Sequence, residues 1–249
     1  SLAKYKIEYA KSIQNAEGFW EEKAEQFSWQ KKWNKVLSWD FTKAEVSWFE
    51  GGKLNVTENC LDRHLETKGD QTAIKWIANN PNEQSRYLSY KELHNNVCKF
   101  SNVLKNNGAK KGDRICLYMP MVPELAIAVL ACARIGAIHS VVFAGFSAKS
   151  LSDRINDANC SILITTDGGF RGEKITPLKD ISDQAMESTQ SIKKCIVLER
   201  TKIKIKMQSG RDIWWHKEMK VANSNFSAEI MNSEDPLFIL YTSGSTGKP

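Results

Sequence analysis

From Ser89 to Leu198 the sequence alternates short apolar runs with amphipathic stretches, each bounded by a capping or breaking residue. Ser89 and Glu92 form a capping box, whose reciprocal side-chain and backbone bonds start a helix. Leu93, Val97, Phe100 and Leu104 follow at helical spacing, and Gly108 supplies the left-handed residue that ends such a helix. Arg114–Met119 reads as a buried strand, and Pro123 and Glu124 open a helix that runs to about Ile135 before Gly136 stops it. Ile138–Phe143 is again a strand, and Ser147 caps a helix with Leu151, Ile155 and Ala158 inward. Residues 161–166 form a strand, Leu178–Glu187 a helix and residues 195–198 a strand. Strands alternating with short helices predict an α/β fold, a mostly parallel sheet flanked by helices and joined by right-handed crossovers.

In such sheets ligands collect beyond the carboxyl ends of the strands. Two loops of chemical interest fall there. One follows the apolar run 237–240, read as a buried strand, and comprises Tyr241, Thr242, Ser243, Gly244, Ser245, Thr246, Gly247, Lys248 and Pro249. Its glycines let backbone approach a ligand closely. Its hydroxyls and N–H groups can point at phosphate oxygens, and Lys248 adds positive charge. The spacing excludes a Walker A loop: two residues separate Gly244 from Gly247, and proline stands where the magnesium-binding hydroxyl should be. The second loop follows strand 161–166 and runs from Asp167 to Lys174. Arg171 and Lys174 lie three apart and can face one anion, arginine as a planar fork and lysine as a point charge. From composition alone, a surface turn with solvated charges is the competing reading.

Charge and cysteine usage narrow the remaining classes. Lys and Arg total 35 against 29 Asp and Glu, a net charge of +6 spread in pairs such as Lys31-Lys32 and Lys110-Lys111. Lys202, Lys204 and Lys206 alternate with Ile203 and Ile205, which predicts a strand with one solvated face and not a nucleic-acid stripe. The six cysteines form no CxxC pair and no zinc spacing with histidine, so reduced thiols in a cytoplasmic protein are expected. The start carries no signal-peptide pattern, and the longest apolar run, residues 125–133, falls short of the ~20 residues of a membrane span. Residues 1–60 hold five of the eight tryptophans and read as a helical N-terminal extension whose aromatics anchor it to a body spanning 61–249.

The string from Tyr241 to Pro249 resembles the phosphate loop of the adenylate-forming enzymes, which include acyl-CoA synthetases, luciferases and peptide-synthetase adenylation domains. Longer strings resemble acetyl-CoA synthetases. They are Leu54-Asn55-Val56 with Asn59-Cys60-Leu61-Asp62-Arg63-His64, Met119-Pro120-Met121-Val122-Pro123-Glu124, the alanine-rich helix leading into His139-Ser140-Val141-Val142-Phe143, and Arg211-Asp212-Ile213-Trp214-Trp215-His216. The match covers nearly the whole chain and narrows to acetyl- and propionyl-type synthetases. The resemblance implies acetate, ATP and coenzyme A as substrates with magnesium on the triphosphate; the dispersed charge and the short apolar runs point to neither nucleic acid nor membrane as partner. It implies that Thr242, Ser243, Gly244, Ser245, Thr246, Gly247 and Lys248 hold ATP phosphates. It further implies that Arg171, Gly172, Glu173 and Lys174 meet the phosphates at the adenosine end of coenzyme A. Lys174 stands where the family usually has a second arginine, which removes a bidentate fork and keeps the charge.

The same resemblance places the acyl pocket, the magnesium ligands and a catalytic lysine further along a longer polypeptide. The 249 residues are therefore expected to be the first part of the family's large domain, ending inside the phosphate loop, without a catalytic residue and inactive alone. Propionate in place of acetate stays open, as does a non-catalytic nucleotide- or coenzyme A-binding module if the gene ends near Pro249. Other tempting residues read as structural. His139 and Ser140, adjacent in a strand, point to opposite faces. Cys132, Trp214-Trp215-His216 and the Asp62-Arg63-His64 cluster read as packing.

Overall fold

The computed structural model describes residues 1–242, which divide into two contact units. The first takes in Ser1–Arg63 and Ile230–Asp235. Its helices α1 (Leu2–Gln14) and α2 (Ala16–Ala24) meet at Asn15, which closes one and caps the other by accepting from the Gly18 N–H at 3.0 Å. The expected helical extension is only half the story, because an antiparallel hairpin of β1 (Lys35–Asp40) and β2 (Glu45–Glu50) follows. Val36, Trp39, Val46 and Trp48 give that stretch the β-branched and aromatic content that suits a pleated surface. Its aromatics pack on one another: Trp29 and Trp33 both contact Phe49, and Trp48 contacts Trp20. Gly52 permits this, since a Cβ there would stand 2.8 Å from the Trp29 ring and 2.9 Å from the Phe49 carbonyl. Strand β3 (Lys53–Leu54), helix α3 (Val56–Cys60) and the late strand β13 (Met231–Asn232), antiparallel to β3, complete the unit. Asn59 fastens the preceding loop, exchanging two hydrogen bonds with the Ser28 backbone at 2.8 and 2.9 Å.

The second unit comprises His64–Glu229 and the segment beginning at Pro236. After α4 (Leu65–Lys68), an antiparallel hairpin of β4 (Thr72–Trp76) and β5 (Arg86–Ser89) leads into α5 (Tyr90–Asn106), where the Ser89–Glu92 capping box is complete. The βα alternation then appears as read: β6 (Arg114–Met119), α6 (Pro123–Arg134), β7 (Ile138–Phe143), α7 (Ala148–Ala158) and β8 (Ile162–Thr166). A small hairpin of β9 (Gly169–Arg171) and β10 (Lys174–Thr176) intervenes before α8 (Leu178–Glu187) and β11 (Lys194–Leu198). Strand β12 (Asp212–Trp214), α9 (Trp215–Val221) and β14 (Phe238–Ile239) end the described chain.

Six strands form one sheet in the order β12-β11-β8-β6-β7-β14, and every pairing is parallel. The chain steps from β6 to β7 on one side and then crosses back to β8 on the other. Right-handed crossovers in opposite directions put α6 and α7 on opposite faces. Accordingly α5 packs with α6 and α9, and α7 packs with α8. Strands β6, β8 and β11 are buried almost throughout, as central parallel strands covered on both faces must be. Between the sheet and α7–α8, Tyr118, Leu151, Ile155 and Leu163 fill the core, and across the sheet Trp215 stacks on Phe100 at 3.7 Å.

Two sequence expectations change. Residues 202–206 form no strand: the segment is irregular, Lys202 takes φ +60°, and the Lys206 carbonyl accepts from the Lys179 ammonium at 3.1 Å. Ile203 and Ile205 remain half-buried between exposed lysines, so the period-two pattern records burial without a ladder partner. The run 237–240 is not buried either. Phe238 and Leu240 are 50% and 63% exposed, because β14 lies at the sheet edge and pairs with β7 alone among the described residues.

Candidate functional site

Four segments that leave the carboxyl ends of neighbouring sheet strands converge on one cavity of about 650 Å³. Pro120–Val122 follows β6, Phe143–Gly145 ends β7, Gly169–Gly172 follows β8 and Arg200 follows β11. The fifth wall comes from β4 and the loop after it, with Trp76 and Asn79. The Trp76 indole N–H donates to the Met121 carbonyl at 2.8 Å, which fastens that wall to the segment after β6. This is the crevice in which parallel sheets collect ligands.

The second sequence loop is a tight hairpin. Arg171 and Lys174 are Cα partners across β9 and β10, and Gly172 occupies the turn with φ +60°, a conformation that favours glycine. Directly opposed like charges destabilise a hairpin, and an anion bound by both would relieve that repulsion. All four residues are exposed; Arg171 and Gly172 line the cavity, and Glu173 and Lys174 stand outside its lining. The hairpin is set by Asp167, a fully buried carboxylate that accepts the N–H groups of Gly168 (2.7 Å), Arg200 (2.7 Å) and Thr201 (3.0 Å) and the Thr201 hydroxyl (3.0 Å). Gly168 lets these strands close up, since a Cβ there would lie 2.7 Å from the Thr201 hydroxyl.

Of the terminal loop, Thr242 is exposed beyond β14, while Ser243, Gly244, Ser245, Thr246, Gly247 and Lys248 lie outside the described residues. Its approach is tethered: the Tyr241 hydroxyl donates to Asp157 at 2.6 Å, and the Arg154 guanidinium lies 5.2 Å from the Tyr241 ring centroid. Burial and the neighbouring Asp157 carboxylate raise the Tyr241 pKa above the usual phenol range, so the hydroxyl is a fixed donor.

His139, Ser140 and Cys132, read as structural, are buried. His139 Nδ1 and Ser140 Oγ are both buried and have no hydrogen-bond partner among the described residues, so no Ser–His pair forms. Burial lowers the His139 pKa to about 4 and keeps the ring neutral. Cys132 is fully buried, and burial pushes its thiol far above the usual range. Among the described residues no group of three or more His, Cys, Asp or Glu side chains is placed to hold a metal, and no helix is long and apolar enough to cross a membrane.

Trp76, Asn79, Phe143 and Arg200 were not singled out from the sequence. Phe143 and Arg200 carried a usable signal, because each stands at or just past the carboxyl end of a strand that the pattern had placed. Trp76 and Asn79 carried none, since their hairpin reaches the crevice from outside the βα alternation.

Comparison with known proteins gives a consistent family pattern. The family model described as AMP-binding enzyme matches residues 61–249, and that described as acetyl-coenzyme A synthetase N-terminus matches residues 5–60. The chain is 54% identical over 248 residues to an acetyl-coenzyme A synthetase of Bdellovibrio bacteriovorus, covering 99% of this chain and 38% of the relative. It is 52% identical over 246 residues to one of Alkalilimnicola ehrlichii, covering 98% of this chain and 38% of the relative. The chain thus spans under two-fifths of the length of these relatives. The solved acetoacetyl-CoA synthetase from Streptomyces lividans shares the fold, with a TM-score of 0.86 at 24% identity over 96% of this chain and 36% of that one.

Proposed function

The chain belongs to the AMP-binding enzyme family, preceded by an acetyl-coenzyme A synthetase N-terminus, and from that premise we propose that the protein carrying it is an AMP-forming acetate–CoA ligase. The acetate carboxylate attacks the α-phosphorus of ATP and releases pyrophosphate. The coenzyme A thiol then attacks the carbonyl of the acetyl-adenylate and releases AMP. In this reading the cavity at the strand ends takes the nucleotide end of coenzyme A, with Arg171 on the phosphates as a bidentate donor. Gly172 lets the turn come close to the ligand, Glu173 stays in solvent, and Lys174 adds long-range positive charge from beside Arg171. The loop from Thr242 to Lys248 holds the ATP phosphates, steered by the Tyr241–Asp157 tether. The described residues offer no cluster for the magnesium that accompanies ATP in this family, and no step here depends on its placement.

The observation that carries the reading is Arg171 on the wall of a crevice built from four parallel-strand ends, in a chain about half identical to acetyl-coenzyme A synthetases over nearly its whole length. The test is acid-dependent ATP–pyrophosphate exchange by the gene product, with acetate, propionate and no acid compared. Exchange that requires acetate and exceeds that with propionate is the expected result. Exchange favouring propionate reassigns the acid, and none with either acid from a folded gene product removes the ligase reading.

A further inference from the structure

Arg200 has a multiply tethered side chain in the cavity wall, and the reaction described above gives it no task. Its guanidinium lies 5.3 Å from the Trp76 ring centroid and 4.9 Å from that of Phe170, and its Nη2 donates to Glu83 at 2.7 Å. Its own N–H donates to the buried Asp167 carboxylate at 2.7 Å. These contacts come from three places: the β4–β5 hairpin, the β9–β10 hairpin and the end of β8. Within the side chain's reach, Arg200 therefore joins the two walls between which the cavity opens. A guanidinium already paired with a carboxylate and lying over two rings is poorly placed to serve as a free phosphate ligand. It is well placed to tie the two hairpins that carry those rings.

We propose that Arg200 is a positioning residue of this cavity: lying over the rings of Trp76 and Phe170 and tied to Glu83, it holds the β9–β10 hairpin so that Arg171 faces the nucleotide phosphates. The inference rests on reading the cavity as the coenzyme A nucleotide site. Its discriminating feature is geometry over charge. Lysine in place of Arg200 keeps the positive charge but loses the planar face that lies over the two rings. Arg200→Lys should therefore fail nearly as badly as Arg200→Ala.

The experiment uses the gene product with Arg200→Ala, Arg200→Lys, Arg171→Ala and the Arg171→Ala/Arg200→Ala double variant. Two readouts are compared: the apparent KM for coenzyme A in thioester formation, and acetate-dependent pyrophosphate exchange. Losing two cation–π contacts predicts a rise in that KM of roughly tenfold in Arg200→Ala, and loss of the planar guanidinium predicts a rise approaching it in Arg200→Lys, with a much smaller change in exchange in both. The double variant should be scarcely worse than Arg171→Ala, because Arg200 acts through the hairpin that carries Arg171. A normal KM in Arg200→Lys, multiplicative effects in the double variant, or equal loss of both readouts would overturn the proposal. Should Arg200→Ala fail to fold, Glu83→Gln removes the ion pair alone, and a KM left at the parent value would overturn it equally. A parent protein with no coenzyme A-dependent step overturns the reading of the cavity itself. A coenzyme A-dependent parent with indifferent Arg200 variants overturns this inference alone.

Discussion

Replacing Lys179 by methionine tests whether a buried ionic cluster holds the sheet's outer strand and helix α8 together. The Lys179 side chain is fully buried, with its ammonium 2.7 Å from Asp183, 2.9 Å from Asp212 and 3.1 Å from the Lys206 carbonyl. It therefore links α8 to β12 and to the irregular segment before it. Methionine keeps the length and apolar stem, so packing is largely retained and the change isolates the charge. Removing one member of a buried ion pair typically destabilises by about 3–5 kcal/mol, because the partner is left buried and unpaired. Here Asp212 keeps two bonds from Arg211 and one from the Gln208 N–H, and Asp183 keeps Arg211 and 31% exposure. The loss should thus fall at the low end, about 3 kcal/mol. Urea unfolding monitored by circular dichroism would show the midpoint falling by roughly 1 M or more for a slope of about 2–3 kcal/mol/M. The difference should persist in 0.5 M salt, which screens exposed pairs far more than buried ones. A loss below about 1 kcal/mol, or one that vanishes in salt, would place Lys179 with ordinary surface pairs and refute the argument. The same cluster has a pH signature. Burial tends to raise the Asp212 pKa, but bonds from Arg211, the Gln208 N–H and Lys179 outweigh it and lower the pKa overall. Asp212 therefore contributes stability above its ordinary pKa of about 3.9 and loses it as pH falls below that value. Asp212→Asn should remove this acid-side loss.

Other perturbations are equally direct. Arg171→Ala removes a charge-assisted contact of about 1.5–3 kcal/mol, so the apparent KM for coenzyme A should rise at least tenfold while pyrophosphate exchange persists; equal loss of both would make Arg171 structural. Asp157→Ala frees the Tyr241 hydroxyl, and the exchange rate should drop several-fold with coenzyme A saturation little changed; a parent-like rate would dismiss the tether. His139, neutral in the fold with a pKa near 4, binds its proton more readily when unfolded. Stability should therefore decline as pH falls from about 6.5 towards 4, by up to about 3 kcal/mol. His139→Gln should flatten that slope in unfolding measured across the interval, and an unchanged slope would assign it to another group.

What the sequence determined by itself are the features written within a few residues of one another. The Ser89–Glu92 box, the stripe from Leu93 to Leu104, the left-handed Gly108, the helix stop at Gly136 and the Ser147 cap all appear where read. Each depends on local hydrogen bonds or on which face of one element is apolar. Alternation of those elements then fixed the parallel sheet, and the sheet fixed which chain ends meet at the crevice. Where a partner was needed the sequence fell short. Ile203 and Ile205 alternate as a strand would, yet among the described residues no neighbouring strand pairs with them. Among the described residues the apolar run at Phe238 has a partner on one side alone, and it is exposed. The β1–β2 hairpin was lost among tryptophans that read as anchors, because aromatics suit both roles. Tertiary structure alone decided the cavity's working surface. Glu83 and Arg200 are 117 residues apart, and nothing local to either marks the other. Their pairing, with the rings of Trp76 and Phe170 close to the guanidinium, exists because the fold brings an antiparallel hairpin against the ends of parallel strands. Such long-range placement leaves no periodicity in the chain that encodes it.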